Sequence, residues 1–131
     1  MTGRSRQLRP SHHRGAPAPV PTSITRTNLR LEMEGPEPPV LIEALGAAYF
    51  ADAHLPGAIN IPPGQVDRLA PVLIPDLDAR IVVYCSGRCD SSRIVARELE
   101  DLRYSDVRVY EGGKEDWVEH GLPVDRPANG A

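Results

Sequence analysis

Residues 80–102 read RIVVYCSGRCDSSRIVARELEDL and contain the most informative change of pattern in the chain. The stretch opens with mostly β-branched and aromatic residues, which are typical of a buried strand. This run ends in Cys85, and a short polar loop follows it. From Asp90 onward, apolar residues recur at helical spacing. The stretch therefore predicts a strand over 79–85, a loop, and a helix over 90–102.

Strand and helix patterns alternate along the rest of the chain. The strand patterns lie at 38–45, 58–61 and 106–111, and the helix patterns lie at 23–35, 64–75 and 114–121. Such alternation predicts an α/β fold with a central, mainly parallel sheet of about five strands and helices on both faces.

Three details of the helices follow from individual residues. Pro71 is expected to interrupt the helix over 64–75, because proline lacks the N–H that an interior helical position needs. The start of the helix over 90–102 can be capped by Asp90 or Ser91. The residues expected near one apolar face of that helix are Ile94, Val95, Leu99 and Leu102.

Length and composition favour one domain with a basic leader. The chain has 131 residues, enough for one core, and it has no apolar run of the ~18 residues that a membrane helix needs. Residues 1–31 contain six Arg and no acid, whereas the remainder has nine basic and 18 acidic residues. A basic arm can bind nucleic acid or lipid headgroups, but we favour a disordered Pro-rich leader. The predicted organisation is a disordered segment over 1–23, a domain over 24–125 and a tail over 126–131.

Cys85 falls where parallel sheets usually place their functional sites, beyond the carboxyl end of a strand. The following helix start offers free N–H groups and a positive dipole end, which favour a thiolate. Gly87 allows the loop to curl, and Arg88 could hold an oxyanion. These features suit a nucleophilic cysteine that acts on an anionic substrate. The alternative is that Cys85 only fills space, because free cysteine is among the most buried residue types.

Three stretches together resemble the rhodanese domain family over roughly residues 24–125. They are HLPGAINIP (54–62), VVYCSGRCDSSRIVAREL (82–99) and VRVYEGGKEDWVEHGLPV (107–124). In that family, a strand delivers a cysteine into a loop cradled by a helix start, and a Gly-Gly turn and a Trp follow.

The resemblance implies sulfurtransferase chemistry. Cys85 would take the outer sulfur of thiosulfate or a similar donor and carry it as a persulfide, and sulfite would leave. A thiol, cyanide or a protein would then accept the sulfur. The loop that would cradle the substrate and the persulfide comprises Ser86, Gly87, Arg88, Cys89, Asp90 and Ser91. The chemistry requires no metal or organic cofactor, and two loop cysteines active in thiol chemistry suit a reducing cytoplasm.

The sequence also departs from the family pattern. Glu43-Ala44-Leu45 stands where many members of the family have Asp-x-Arg. Arg103 stands where they usually have a glycine, so we expect strain at the C-terminal end of the helix over 90–102. The loop contains a second cysteine, Cys89, and position 91 is Ser, which argues against the phosphatase pattern CX5R. Two alternatives therefore stay open. One is a catalytically weak interaction or regulatory module, and the other is a thiol redox switch or oxyanion reductase that uses Cys85 and Cys89.

Overall fold

The computed structural model describes residues 21–87 and 89–126, and these form a five-stranded parallel sheet with helices packed on it. In chain order the elements are β1 (Thr22–Ser23), α1 (Arg26–Glu34), β2 (Val40–Glu43), α2 (Ala47–Asp52), β3 (Ile59–Asn60), α3 (Val66–Leu73), β4 (Arg80–Tyr84), α4 (Ser91–Asp101), β5 (Asp106–Tyr110) and α5 (Gly113–Glu119). The sheet order is β1–β5–β4–β2–β3, and every strand pair is parallel. The predicted α/β fold with a parallel sheet is confirmed.

The strand β4 lies at the centre of the sheet and is buried on both faces. Ile81 and Val83 belong to one apolar cluster, and Val82 and Tyr84 belong to the other, because alternate side chains of a strand point to opposite faces. Helices α3 and α4 pack on the first face and helices α1 and α5 on the second. Their main contributions are Val66, Ala70, Val95 and Leu99 on the first face, and Leu29 and Trp117 on the second.

Local signals set both ends of α1, whereas α3 departs from its predicted form. Thr25 caps α1 by accepting a hydrogen bond from the Asn28 N–H, and Gly35 ends this helix. However, α3 continues through Pro71, so the predicted interruption is wrong. Burial of Val66 and Ala70 offsets the hydrogen bond that the proline cannot make.

The buried face of α4 agrees with the predicted one at Val95 and Leu99, and Leu102 packs against the same apolar cluster, but the prediction is wrong for Ile94. Ile94 is 46% exposed, and the buried residues are Ser92, Val95, Ala96 and Leu99. These follow the i, i+3, i+4, i+7 spacing of a single helix face, to which Ile94 does not belong.

The ordered part of the chain begins before the predicted start of the domain. Thr22 and Ser23, which the sequence predicts to lie in the disordered leader, form β1 and pair with β5. At the other end, Asp125 exchanges backbone hydrogen bonds with His54 at the domain edge. Residues 1–20 and 127–131 lie outside the described residues. None of the helices in the described part is long and apolar enough to cross a membrane.

Candidate active site

The carboxyl ends of the central strands form the edge of the sheet on which Cys85 lies. In the sheet register, Glu43 at the end of β2 is paired with Tyr84 at the end of β4, which is paired with Tyr110 at the end of β5. Cys85 directly follows Tyr84 and is only 1% exposed. Its Sγ lies 3.6 Å from the Ser92 hydroxyl oxygen, at the start of α4. The cysteine is therefore at the strand-to-helix junction that the sequence predicted.

The second cysteine of the loop is within bonding reach of the first. Cys85 and Cys89 are joined in a disulfide, and their Cα atoms are 6.7 Å apart. This Cα separation falls inside the range of about 4.4–6.8 Å that disulfides span. Cys89 is more exposed than Cys85. The geometry thus brings together the two thiols on which the redox alternative depends.

The first turn of α5 holds the cysteine loop by its backbone. The Lys114 N–H donates to the Cys85 carbonyl, and the Glu115 N–H donates to the Ser86 carbonyl, both at 2.8 Å. These are helix N-terminal donors that have no partner inside the helix. The loop backbone is consequently fixed to α5.

This close approach requires glycine at position 113, where the contacts are with backbone atoms, whereas at Gly87 the atom in the way belongs to a flexible side chain. A Cβ on Gly113, which has φ +68°, would lie 2.6 Å from the Cys85 carbonyl oxygen and 2.8 Å from the Gly87 nitrogen. A Cβ on Gly87 would lie 2.9 Å from a carboxylate oxygen of Glu115. The Gly-Gly turn of the sequence is therefore the surface against which the loop packs.

A buried ion pair joins α5 to the edge of the sheet. The Glu43 side chain is 0% exposed, and one of its oxygens accepts a hydrogen bond from the Lys114 ammonium at 3.0 Å. The other oxygen accepts one from the Tyr84 hydroxyl at 2.8 Å. The ammonium also donates to the carbonyls of Tyr49 and Ala53. Burial raises the pKa of Tyr84, and the neighbouring Glu43 charge adds to this shift.

The charges on the described rim of the loop are mostly paired. Arg93 contacts Asp90 at 3.0 Å and Glu111 at 3.3 Å, and it links the start of α4 to the Gly-Gly turn. Lys114 makes three hydrogen bonds through its ammonium group, which match its three protons. Neither cation is thus free to bind an anion unless its present contacts change. Arg88 lies outside the described residues.

The predicted substrate loop lies where expected, but its proposed contacts with sulfur stay a prediction. Ser86, Gly87 and Cys89 are half-buried, Asp90 is exposed, and Ser91 is the first residue of α4. Among the described residues, no hydrogen bond runs from a loop backbone N–H to the Cys85 sulfur, which is bonded to Cys89. The described part also contains no group of three or more His, Cys, Asp or Glu side chains placed to hold a metal ion.

A cavity of about 300 Å³ lies beside the Gly-Gly turn and away from the sulfur. It opens on the β1 side of the sheet, and none of the described residues of the cysteine loop lines it. The lining residues are Ser23, Ile24, Thr25, Arg26, Thr27, Tyr110, Glu111, Gly112 and Asp116.

Sequence reasoning overlooked two residues of the site, and each had a usable signal. Ser92 continues the buried spacing of Val95 and Leu99 back to the start of α4, which places its hydroxyl beside Cys85. Lys114 is the only lysine of the chain and stands in the first turn of a helix, where a positive charge is unfavourable without a partner. In the structure that partner is Glu43.

Comparison with known proteins agrees with the fold. The family described as Rhodanese-like domain matches residues 25–120, and the chain therefore belongs to the rhodanese-like domain family. A thiosulfate sulfurtransferase from Pseudomonas aeruginosa is 28% identical with a TM-score of 0.73, and the match covers 82% of this chain and 20% of that one. A rhodanese from E. coli, solved with anions, is 25% identical with a TM-score of 0.58, over 67% of this chain and 98% of that one.

A curated relative has a different role. The HTH-type transcriptional regulator Rv0324 of Mycobacterium tuberculosis is 36% identical over 108 residues, which are 81% of this chain and 46% of the regulator. The chain thus spans less than half of that relative, and it also spans only a fifth of the Pseudomonas enzyme.

Proposed function

We propose that the chain is a sulfurtransferase in which Cys85 accepts the outer sulfur of thiosulfate, or of a similar sulfane donor, as a persulfide. The main support is the placement of Cys85 at the carboxyl end of β4, with the Ser92 hydroxyl 3.6 Å from its sulfur. Membership of the rhodanese-like family and the likeness to a thiosulfate sulfurtransferase add to this support.

The first half-reaction requires the reduced form of Cys85. The thiolate attacks the outer sulfur of thiosulfate, and a new sulfur–sulfur bond forms at Cys85. The sulfur–sulfur bond of thiosulfate breaks, and sulfite leaves with the electron pair. The Ser92 hydroxyl and the amino end of the 11-residue helix α4 favour negative charge at this sulfur.

The second half-reaction transfers the outer sulfur to an acceptor. A thiol, cyanide or a protein thiolate attacks the outer sulfur, and the Cys85 thiolate is restored. Cys85 is 1% exposed while it is bonded to Cys89, so opening of that bond is a precondition for donor and acceptor to reach it.

The test measures sulfite released by the fully reduced chain when thiosulfate is added. We expect about one sulfite per chain in the absence of any acceptor, because each Cys85 can take one sulfur. Cys85→Ser should release none, and far-UV circular dichroism should show that this variant remains folded. Equal sulfite release by the two proteins, or none by either, would overturn the proposal.

A regulatory module is the second candidate, and the likeness to the regulator Rv0324 favours it. In this case Cys85 would bind or sense a sulfur species without sustained turnover. A stoichiometric release of sulfite that never continues with added thiol or cyanide would favour the module. Repeated turnover with either acceptor would favour the transferase.

A further inference from the structure

The two cysteines of the loop are the only cysteines of the chain, and the structure joins them. They are four positions apart, and their Cα atoms are 6.7 Å apart, so the bond forms within one loop. A sulfurtransferase that passes sulfur directly to an external acceptor needs only one of them. Cys89 is therefore a second thiol that the proposed sulfur transfer does not use.

We propose that Cys89 is a resolving thiol that discharges the Cys85 persulfide as hydrogen sulfide and leaves the Cys85–Cys89 disulfide. This inference rests on the proposed function, since it starts from the persulfide. It adds a further activity, the dithiol-dependent reduction of a sulfane donor to sulfide.

The chemistry balances without an external oxidant. The Cys89 thiolate attacks Cys85 Sγ, the atom to which it is bonded in the structure. The bond between Cys85 Sγ and the outer sulfur breaks, and hydrosulfide leaves with the electron pair. The proton lost by the Cys89 thiol is taken up as hydrosulfide becomes hydrogen sulfide. The outer sulfur is reduced, and the two cysteines are oxidised to the disulfide.

Cys89 is better placed than an external thiol to attack Cys85 Sγ. This sulfur belongs to a residue that is 1% exposed in the disulfide form, whereas an external acceptor attacks the outer sulfur of the persulfide. Cys89 is already in the same loop and needs no diffusional encounter. An intramolecular attack of this kind has a high effective concentration.

The same difference in exposure directs the reduction of the disulfide. Cys89 is half-buried, whereas Cys85 is buried, so an incoming thiolate reaches the Cys89 sulfur first. That attack expels the Cys85 thiolate, beside the Ser92 hydroxyl, and leaves a mixed disulfide on Cys89. A second thiol of the same reductant then releases Cys89. The co-reactant is therefore a dithiol, either a small molecule or a dithiol protein, and each cycle oxidises one dithiol.

The experiment follows single turnover of the reduced full chain with thiosulfate, after all free reductant has been removed. Sulfite, hydrogen sulfide and intact protein mass are measured together. We expect the chain to release sulfite and an equal amount of hydrogen sulfide, and its mass to fall by that of two hydrogen atoms. Cys89→Ser should instead gain the mass of one sulfur atom and release hydrogen sulfide only after dithiothreitol is added.

The outcomes separate this inference from the proposed function. If the natural chain keeps the extra sulfur and releases no hydrogen sulfide, sulfur transfer stands and the resolving role of Cys89 is wrong. The same conclusion follows if Cys89→Ser releases hydrogen sulfide as fast as the natural chain. If neither protein releases sulfite or gains sulfur, the persulfide does not form and both proposals fail.

Discussion

The Lys114 ammonium lies 3.0 Å from one oxygen of the Glu43 carboxylate, and the other oxygen accepts a hydrogen bond from Tyr84. Glu43 is 0% exposed, so its charge depends on these partners. The Lys114 backbone N–H also holds the Cys85 carbonyl. Lys114 thus connects the buried Glu43 of β2 to the cysteine loop. The chain has this connection although it lacks the Arg of the Asp-x-Arg pattern, where Leu45 stands instead.

Lys114→Met should destabilise the protein by about 3–5 kcal/mol, because it leaves a buried carboxylate without its counter-ion. The free energy of unfolding in urea at neutral pH measures this loss. Arg97→Met is the control, because Arg97 is an exposed cation on α4, and its removal should cost less than about 0.5 kcal/mol.

The double variant Glu43→Gln with Lys114→Met tests whether the two side chains act as a pair. A neutral amide leaves no buried charge behind, so the double variant should lose less free energy than the two single variants combined. Simple additivity would show that the contact contributes no coupling energy, and the account of the ion pair would then be wrong.

Gly113→Ala should displace the cysteine loop and slow sulfite release by up to about a hundredfold. Its Cβ would lie 2.6 Å from the Cys85 carbonyl oxygen, a distance that neither backbone can accept without movement. Sulfite release and the rate of Cys85 alkylation in the reduced protein are the measurements.

Gly121→Ala is a matched control for this change. Gly121 has φ +72°, close to the +68° of Gly113, but a Cβ there would meet nothing within 4 Å. The positive φ should cost each variant about 1 kcal/mol of stability. Gly113→Ala should lose more than this because of its backbone contacts, and only Gly113→Ala should lose reactivity. Equal effects on reactivity would mean that backbone strain, rather than contact with the loop, is responsible.

Local pattern was sufficient for the parts of the fold that depend on neighbouring residues. The strand β4, the helix α4 and the placement of Cys85 between them all follow from residues 80–102. Contacts between distant segments were not predictable in this way. Glu43 and Lys114 are 71 positions apart and meet only because α5 packs against the end of β2.

The buried face of α4 was predictable at its apolar residues but not at its polar one. Val95 and Leu99 are buried as predicted, whereas Ile94 is exposed and the buried stripe begins at Ser92. A polar residue at the start of an apolar stripe is easily assigned to capping instead. The spacing of Ser92 to Val95 and Leu99 indicates that it is buried, but its contact with the Cys85 sulfur depends on how α4 packs against the end of β4.

Arg103→Gly should raise the free energy of unfolding by about 1 kcal/mol. Arg103 has φ +78°, and among the described residues it is the only one other than glycine with a positive φ. The replacement of a family glycine by Arg therefore strains the end of α4, as the sequence predicted. Arg103→Ala is the control, because it removes the charge but keeps the Cβ, and it should leave the strain in place. A gain in stability from both variants would assign the effect to the charge instead.

The ion pair between Glu32 and Arg108 should make part of the stability depend on pH. Two hydrogen bonds from the Arg108 guanidinium, at 2.7 and 2.8 Å, hold the pKa of Glu32 below its ordinary value, and Arg80 adds to this shift. A carboxyl group whose pKa is lower in the folded state stabilises that state fully above its unfolded pKa. This contribution is lost as the pH falls through the folded pKa.

Glu32→Gln should therefore cost about 1 kcal/mol at pH near 7, and the cost should shrink toward zero as the pH falls below the range in which Glu32 ionises. Urea unfolding of both proteins over a series of pH values gives the difference directly. Glu34→Gln is the control on the same helix, because Glu34 is exposed and its nearest contact with Arg30 is 3.7 Å. A cost of Glu32→Gln that stays constant down to acid pH would mean that the variant acts through packing and not through the carboxylate charge.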